Sequence, residues 1–181
     1  MGEPVHLAEE SALVIQVPEA ERIVGSYRWE HDPVARLGVP AHITLIYPFI
    51  PPSLITMDDR ARLHNLLSTY PVFDFSLTEL DRFPDVLFLA PSPRKKIIEL
   101  IKIIAAAFPE YPPYSGKFPE INPHLTIAQS EDSKLLEKIA EELAPKAKQE
   151  LPIAKRVTDA SLFELNNGLW NKTGTYPLRS N

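Results

Sequence analysis

Two short segments of the chain share a spacing of histidine and threonine that could carry acid–base chemistry. They read PAHITL at residues 40–45 and PHLTI at residues 123–127. Residues two apart in a β-strand point to the same face, so His42 shares a face with Thr44, and His124 with Thr126. An imidazole and a hydroxyl on an apolar strand are costly to desolvate unless both find partners. Because the pattern occurs in both halves of the chain, we expect the two polar faces to meet around one cleft.

Two imidazoles and two hydroxyls suit phosphodiester chemistry. A neutral histidine can take a proton from an attacking water or hydroxyl, and a protonated one can give a proton to the leaving alkoxide. Both states are accessible near neutral pH, since the reference pKa of histidine is about 6.5. The hydroxyls of Thr44 and Thr126 can donate hydrogen bonds to non-bridging phosphate oxygens. This chemistry needs no metal ion, cofactor or covalent nucleophile.

The apolar periodicity and the prolines predict the elements that position these residues, in the order β-α-β-α-β-β-α-β-α-β-β-β. Each motif lies in a predicted strand, at 39–47 and at 124–128. The other strands are predicted at 12–17, 72–78, 86–90 and about 150–155, 157–165 and 168–178, and the helices at 18–31, about 56–70, 93–108 and from 132 to just before Pro145. Helices interleaved with strands predict an α/β or α+β protein with helices outside its sheets.

Composition limits the possible functions. With 181 residues, the chain fits one domain or two small lobes with a common core, which we place at 11–181 after a flexible lead-in at 1–10. It has no cysteine, which excludes disulfides, thiolate metal sites and a cysteine nucleophile, and suits the cytoplasm. We expect no leader peptide and no membrane span, because residues 1–6 have no basic or apolar leader region and no run of 18 apolar residues occurs. The net charge of −5 favours a short nucleic-acid end or a nucleotide over a long duplex.

With both motifs in place, the sequence resembles the two-histidine (2H) phosphoesterase superfamily, which contains 2′-5′ RNA ligase-like proteins and 2′,3′-cyclic nucleotide phosphodiesterases. The family carries two His-x-Thr/Ser-x motifs, one on each of two strands. The resemblance extends to Tyr47-Pro48-Phe49, to the apolar strand Val86–Leu89 and to the closing strands, and covers residues 11 to about 178. It implies an α+β fold with α/β-type lobes: two antiparallel-rich sheets, related by a pseudo-twofold axis, surround a central cleft with helices outside.

The resemblance also implies an activity. Such enzymes open a 2′,3′-cyclic phosphate to a 2′-phosphate, or cleave and form 2′-5′ linkages in RNA, without a metal. It implies acid and base roles for the two histidines, with His124 as the base for water and His42 as the acid, and phosphate contacts for Thr44 and Thr126. The expected partner is an RNA end or a nucleotide with a cyclic phosphate, and the expected state is a monomer.

Two tyrosines are further candidates for substrate binding. Tyr47 lies five residues after His42, which in a regular strand places it on the opposite face, at a core or rim position. Tyr114 lies in the proline- and aromatic-rich loop 109–123, where it could stack on a base or pack the loop. Several cations could contact phosphate, although solvent is the default for them: Arg28 and Arg36 before the first motif, Lys117 before the second, and the run Arg94-Lys95-Lys96 at the start of a helix.

Two other functions remain open at this point. The same fold could serve as a non-catalytic module that binds RNA or nucleotides. A histidine-ligated metallohydrolase is disfavoured, because no carboxylates are closely spaced around His42 or His124, and His6, His31 and His64 show no metal-ligand spacing.

Overall fold

This computed structural model describes residues 9–180, which contain eight strands and four α-helices. The strands are β1 (Ser11–Gln16), β2 (His42–Ile46), β3 (Phe73–Arg82), β4 (Val86–Ser92), β5 (Leu125–Gln129), β6 (Ile153–Val157), β7 (Asp159–Asn166) and β8 (Leu169–Pro177). The helices are α1 (Glu21–His31), α2 (Met57–Leu67), α3 (Lys95–Ala107) and α4 (Ser133–Glu150). This is the element order that the sequence predicts. The predicted lead-in at 1–10 falls mostly outside the described residues, as does His6.

The strands form two antiparallel sheets of four, in the orders β2-β1-β7-β8 and β5-β4-β3-β6. The unit β1-α1-β2-α2 of the first sheet corresponds to β4-α3-β5-α4 of the second. In both units the strand that carries a motif is the edge strand and pairs with the strand before its helix. The expected bilobal α+β fold with two pseudo-twofold-related sheets is therefore confirmed.

The helices tie the two halves together by crossing over. Helix α1 packs against β5 of the second sheet, and α3 packs against β2 of the first, with Cα atoms within 8 Å. The edge strands β2 and β5 approach each other to the same distance. One cluster of buried side chains includes Ile43 and Leu45 from β2 together with Leu125 and Ile127 from β5. This packing brings the two motifs to one place.

Local signals explain where most elements begin and turn. Thr56 caps α2 through a reciprocal pair of hydrogen bonds with Asp59, and the Asp132 carboxylate caps α4. Asn167 and Gly168 both have positive φ, at 53° and 77°, which is the backbone that a two-residue hairpin turn requires. Among residues 9–180, no helix has both the length and the apolar character that a membrane span requires.

Helix α4 differs from the prediction, which ended it before Pro145. The helix continues to Glu150, and the next strand begins only at Ile153. Proline lacks an N–H and removes one helical hydrogen bond. Here Pro145 is exposed, while Leu143 and Ala147 on either side of it are buried. Burial of that apolar stripe holds the helix together past the proline, a tertiary effect that overrides local propensity.

Candidate active site

Both motifs place their polar side chains on a partly exposed face. In β2, His42 and Thr44 are partly exposed, whereas Ile43 and Leu45 are fully buried. The second motif repeats this alternation in and just before β5. The period of two that the sequence predicts is therefore present in both edge strands. It leaves an imidazole and a hydroxyl available on each strand, while the residues between them anchor the strand in the core.

The two imidazoles are held in the same way. Nδ1 of His42 lies 2.8 Å from the carbonyl oxygen of Pro40, and Nδ1 of His124 lies 2.8 Å from that of Asn122. A carbonyl oxygen can only accept a hydrogen bond, so its partner Nδ1 must carry the proton. In the neutral imidazole this leaves the lone pair on Nε2, which is then the nitrogen free for proton transfer.

Both histidines favour the neutral form. Burial lowers the pKa of His42 to about 4, against the opposing hydrogen bond to Pro40, and the charges of Arg28 and His124 lower it further. Burial also lowers the pKa of His124. Near neutral pH the unliganded site therefore holds two neutral imidazoles.

A buried ionic network lies behind His42. The guanidinium of Arg28 is 2% exposed and donates to Asp32 Oδ2 at 2.9 Å, to Glu21 Oε1 at 2.9 Å and to the Val39 carbonyl at 3.2 Å. The Glu21 carboxylate also accepts a hydrogen bond from the Ala41 N–H. The expectation of a solvated Arg28 is therefore wrong, because two carboxylates and a carbonyl replace its water. Its spacings of seven and four residues from the two acids, which place all three on one side of α1, are the sequence signal for this network.

Aromatic rings surround His124 instead. Phe83 and Phe88 have ring centroids 5.1 Å and 5.3 Å from its imidazole. On the solvent side, Arg94 Nη1 donates to the Asn122 side chain at 3.0 Å, and the backbone carbonyl of the same Asn122 receives the His124 Nδ1–H. The sequence motifs do not point to Phe83, which lies in the connection between β3 and β4. Its contact with His124 depends on the pairing of β3, β4 and β5.

The structure brings Tyr114 to the first motif, although it precedes the second in sequence. Its N–H donates to the Tyr47 carbonyl at 2.6 Å, directly after the strand that carries Thr44. Burial raises the pKa of Tyr114, and Thr44 offsets part of this rise. Tyr114 and the following Ser115 have φ of 51° and 55°, a left-handed backbone that is costly for these residue types. Packing of the loop against β2 sustains this conformation.

Tyr47 is held in a packed position at the rim. Its hydroxyl donates to Glu10 Oε2 at 2.7 Å, and its ring meets Trp170 edge-on at a centroid distance of 6.3 Å. Burial raises the pKa of Tyr47 to about 12, and the Glu10 carboxylate acts in the same direction. The side chain is therefore a neutral hydrogen-bond donor that Glu10 already engages.

The other predicted cations are engaged elsewhere or open to solvent. Arg36 donates to the carbonyls of Trp29 and Glu30 near the end of α1. Lys95 and Lys96 pair with Glu99, and Lys117 is exposed. Within residues 9–180, no three histidine, aspartate or glutamate side chains are grouped to hold a metal ion.

Comparisons with solved structures show that the fold is shared. TT0787 of Thermus thermophilus is 17% identical, with a TM-score of 0.63 over 95% of this chain and 99% of that one. E. coli LigT complexed with NADP+ is 18% identical, with a TM-score of 0.57 over 94% and 98% of the two chains. E. coli LigT complexed with 3′-AMP is 16% identical, with a TM-score of 0.58 over the same shares.

A search of curated proteins finds no match to this chain. The family described as the 2′-5′ RNA ligase superfamily matches residues 16–169, a range that includes both motifs. The resemblance to the 2H phosphoesterases is thereby confirmed, and the chain belongs to the 2′-5′ RNA ligase superfamily.

Proposed function

We propose that this protein is a metal-independent phosphoesterase that acts on a 2′,3′-cyclic phosphate, or on a 2′-5′ phosphodiester, of RNA ends or nucleotides. The observation that carries the proposal is the matched pair of histidines on two facing edge strands. Both have Nδ1 bound to a backbone carbonyl, which leaves Nε2 for proton transfer. Membership of the superfamily supports the reaction class.

In hydrolysis of a cyclic phosphate, His124 acts as the base and His42 as the acid. Nε2 of His124 takes a proton from water as the water oxygen bonds to phosphorus. The bond from phosphorus to O3′ breaks, and Nε2 of His42 protonates that oxygen. One water is consumed, and the product carries a 2′-phosphate and a free 3′-hydroxyl. The hydroxyls of Thr44 and Thr126 donate to the non-bridging oxygens as charge develops there.

Substrate binding prepares the acid. In the unliganded site His42 is neutral, because its pKa is about 4. A phosphodiester carries a negative charge, and an opposite charge nearby favours the protonated form of an imidazole. The bound substrate therefore raises the pKa of His42, so that His42 is protonated in the complex and can act as the acid. The low pKa of the unliganded site is compatible with an acid role for this reason.

The substrate class is a nucleotide or a short RNA end. E. coli LigT, which shares the fold, has been solved with 3′-AMP and with NADP+. Tyr114 contacts a substrate bound at Thr44, since its loop packs against β2 and its N–H binds the Tyr47 carbonyl, and Tyr47 supports it from the rim. Residues 11–181 act as one bilobal domain, and the protein acts as a monomer.

The test is turnover, in EDTA, of a short oligonucleotide that ends in a 2′,3′-cyclic phosphate. We expect wild type to yield a 2′-phosphate. His42→Ala and His124→Ala should each lose roughly 10²-fold or more in kcat, because each removes one proton-transfer group. His64→Ala is the matched control, since His64 is an exposed residue of α2. Loss of wild-type activity in EDTA would point to the metallohydrolase instead.

The non-catalytic module gives a different pattern in the same experiment. Wild type would then bind nucleotide without turning over any cyclic phosphate or 2′-5′ linkage. The double variant His42→Ala/His124→Ala would bind it equally well. That combination would overturn the proposed activity while leaving the fold and the cleft intact.

A further inference from the structure

We propose that Glu21, Arg28 and Asp32 are positioning residues for His42, which they serve by fixing the peptide group that receives its Nδ1 proton. The proposal rests on the proposed function, in which His42 transfers a proton. None of the three residues belongs to the repeated motif. They lie in α1 and at its C-terminal end, and two of them bind the backbone beside Pro40.

The network is built around a single buried guanidinium. Arg28 is 2% exposed and Asp32 is 4% exposed, and the two are joined by hydrogen bonds of 2.9 Å and 3.2 Å. Asp32 Oδ1 accepts in addition from the Val34 N–H at 3.3 Å. Glu21 completes the network at 2.9 Å from Arg28 Nη1. A planar guanidinium bound at both ends in this way has little rotational freedom.

Its connection to His42 runs through one peptide unit. The Pro40 carbonyl and the Ala41 N–H belong to the same planar group and point in opposite directions. The Glu21 carboxylate accepts from the Ala41 N–H at 2.5 Å, and the Pro40 oxygen receives His42 Nδ1 at 2.8 Å. Arg28 holds the preceding unit through the Val39 carbonyl at 3.2 Å. The Glu21 carboxylate thus fixes the plane of the Pro40–Ala41 peptide group. The carbonyl oxygen on the other edge of that group orients the His42 imidazole.

The second motif cannot use this device. Its acceptor carbonyl belongs to Asn122, and the next residue is Pro123, so the peptide unit that holds His124 has no N–H. There Arg94 holds the Asn122 side chain from the exposed surface. The two motifs therefore differ by one residue: an alanine stands between proline and histidine in the first (Pro-Ala-His) and is absent from the second (Pro-His). The ionic network is specific to His42.

The charge of the Arg28 guanidinium is consistent with a positioning role for the network. The Arg28 guanidinium contributes to the low pKa of His42, so the network that orients the ring also favours its neutral form before substrate binds. The network binds the backbone on both sides of Pro40, through the Val39 carbonyl and the Ala41 N–H. The comparable pair Arg60–Glu164, at 2.6 Å, touches no motif residue in its hydrogen bonds.

The test compares Glu21→Ala with Glu21→Gln, whose amide oxygen can still accept from the Ala41 N–H. Glu21 is 37% exposed, which limits the cost of the change to folding. We expect Glu21→Ala to lower kcat by roughly 10-fold at unchanged KM, since a small misplacement of a reacting group is costly, and Glu21→Gln to recover most of it. Glu164→Ala is the matched control: it breaks a partly buried Arg–Glu pair, and kcat stays at the wild-type value.

A spectroscopic readout separates this proposal from the proposed function. Nitrogen and proton NMR shifts of the His42 ring report its tautomer without any turnover. We expect one Nδ1-protonated tautomer in wild type, in Glu21→Gln and in Glu164→Ala, and a mixture of tautomers in Glu21→Ala. A single unchanged tautomer in Glu21→Ala would overturn the positioning role, as would an equal loss of kcat in Glu164→Ala. An inactive wild type would defeat the proposed function alone.

Discussion

His42 and His124 make the same hydrogen bond, from Nδ1 to the carbonyl oxygen of the residue two positions earlier, at the same distance of 2.8 Å. Their surroundings nevertheless differ. An ionic network lies behind the first, and two phenylalanine rings lie beside the second. The two lobes therefore present identical tautomers in unlike environments. Such a difference allows one imidazole to act as acid and the other as base.

Binding of a phosphodiester should take up protons. Burial lowers the pKa of both His42 and His124 in the unliganded protein, and the charge of a bound phosphate raises it. The complex then holds more protons than the free protein, so affinity increases as pH falls from neutral towards the free pKa of about 4 for His42. Calorimetry with a dinucleotide, whose phosphodiester does not titrate there, in buffers of different ionisation enthalpy measures the uptake. The same uptake in the double variant His42→Ala/His124→Ala would contradict the prediction.

His42 should also make stability depend on pH. The folded protein protonates it only near pH 4, whereas the unfolded chain does so near 6.5. Between these values unfolding takes up a proton, so stability falls as pH falls. Removing this group, in His42→Ala, should reduce the slope by up to about 1.4 kcal/mol per pH unit in that window. Denaturant unfolding at a series of pH values checks it. Above pH 7 the stability curves of wild type and His42→Ala should run parallel. Curves that run parallel over the whole pH range would contradict the prediction.

A sulfur-substituted substrate can show which histidine is the acid and which is the base. A substrate with sulfur in place of the bridging 3′ oxygen releases a thiolate, which needs no proton. If His42 is the acid, His42→Ala should turn over this substrate nearly as fast as wild type, while His124→Ala stays slow because it lacks the base. Single-turnover rates on the oxygen and sulfur substrates measure the two ratios. Rescue of His124→Ala instead would reverse the assignment.

The threonines should contribute through their hydroxyls alone. Valine has nearly the shape of threonine without the donor, so Thr44→Val and Thr126→Val should each lower kcat by roughly 10- to 100-fold if the donor stabilises charge in the transition state. Thr44→Ser and Thr126→Ser keep the donor and should stay close to wild type. Steady-state kinetics on the cyclic phosphate compares the pairs. Equal losses in the serine and valine variants would indicate a packing role.

Pro145 should be replaceable with a gain in stability. It lies on the exposed side of α4 and leaves one helical hydrogen bond unmade. Pro145→Ala restores that bond, and we expect the free energy of unfolding to rise by roughly 1 to 3 kcal/mol. Thermal or urea unfolding measures the change, with Glu141→Ala on the same exposed side as the control. A lower stability in Pro145→Ala would show that the proline shapes a contact of the helix.

Local patterns in the sequence determine much of this protein. Alternation over PAHITL and PHLTI places each histidine with its threonine, and the caps at Thr56 and Asp132 set the starts of two helices. These features depend on backbone geometry over a few residues, which sequence alone encodes. The element order, the fold class and the family follow from them.

Other features exist only in the tertiary structure. The burial of Arg28, the approach of Tyr114 to Thr44 and the contact of Phe83 with His124 all join residues from different elements. Helix α4 continues past Pro145 for the same reason, since its buried stripe outweighs one missing hydrogen bond. That the chain carries two similar motifs is a property of the sequence. The difference between them is decided by packing, because desolvation and neighbouring charges act across the fold rather than along the chain.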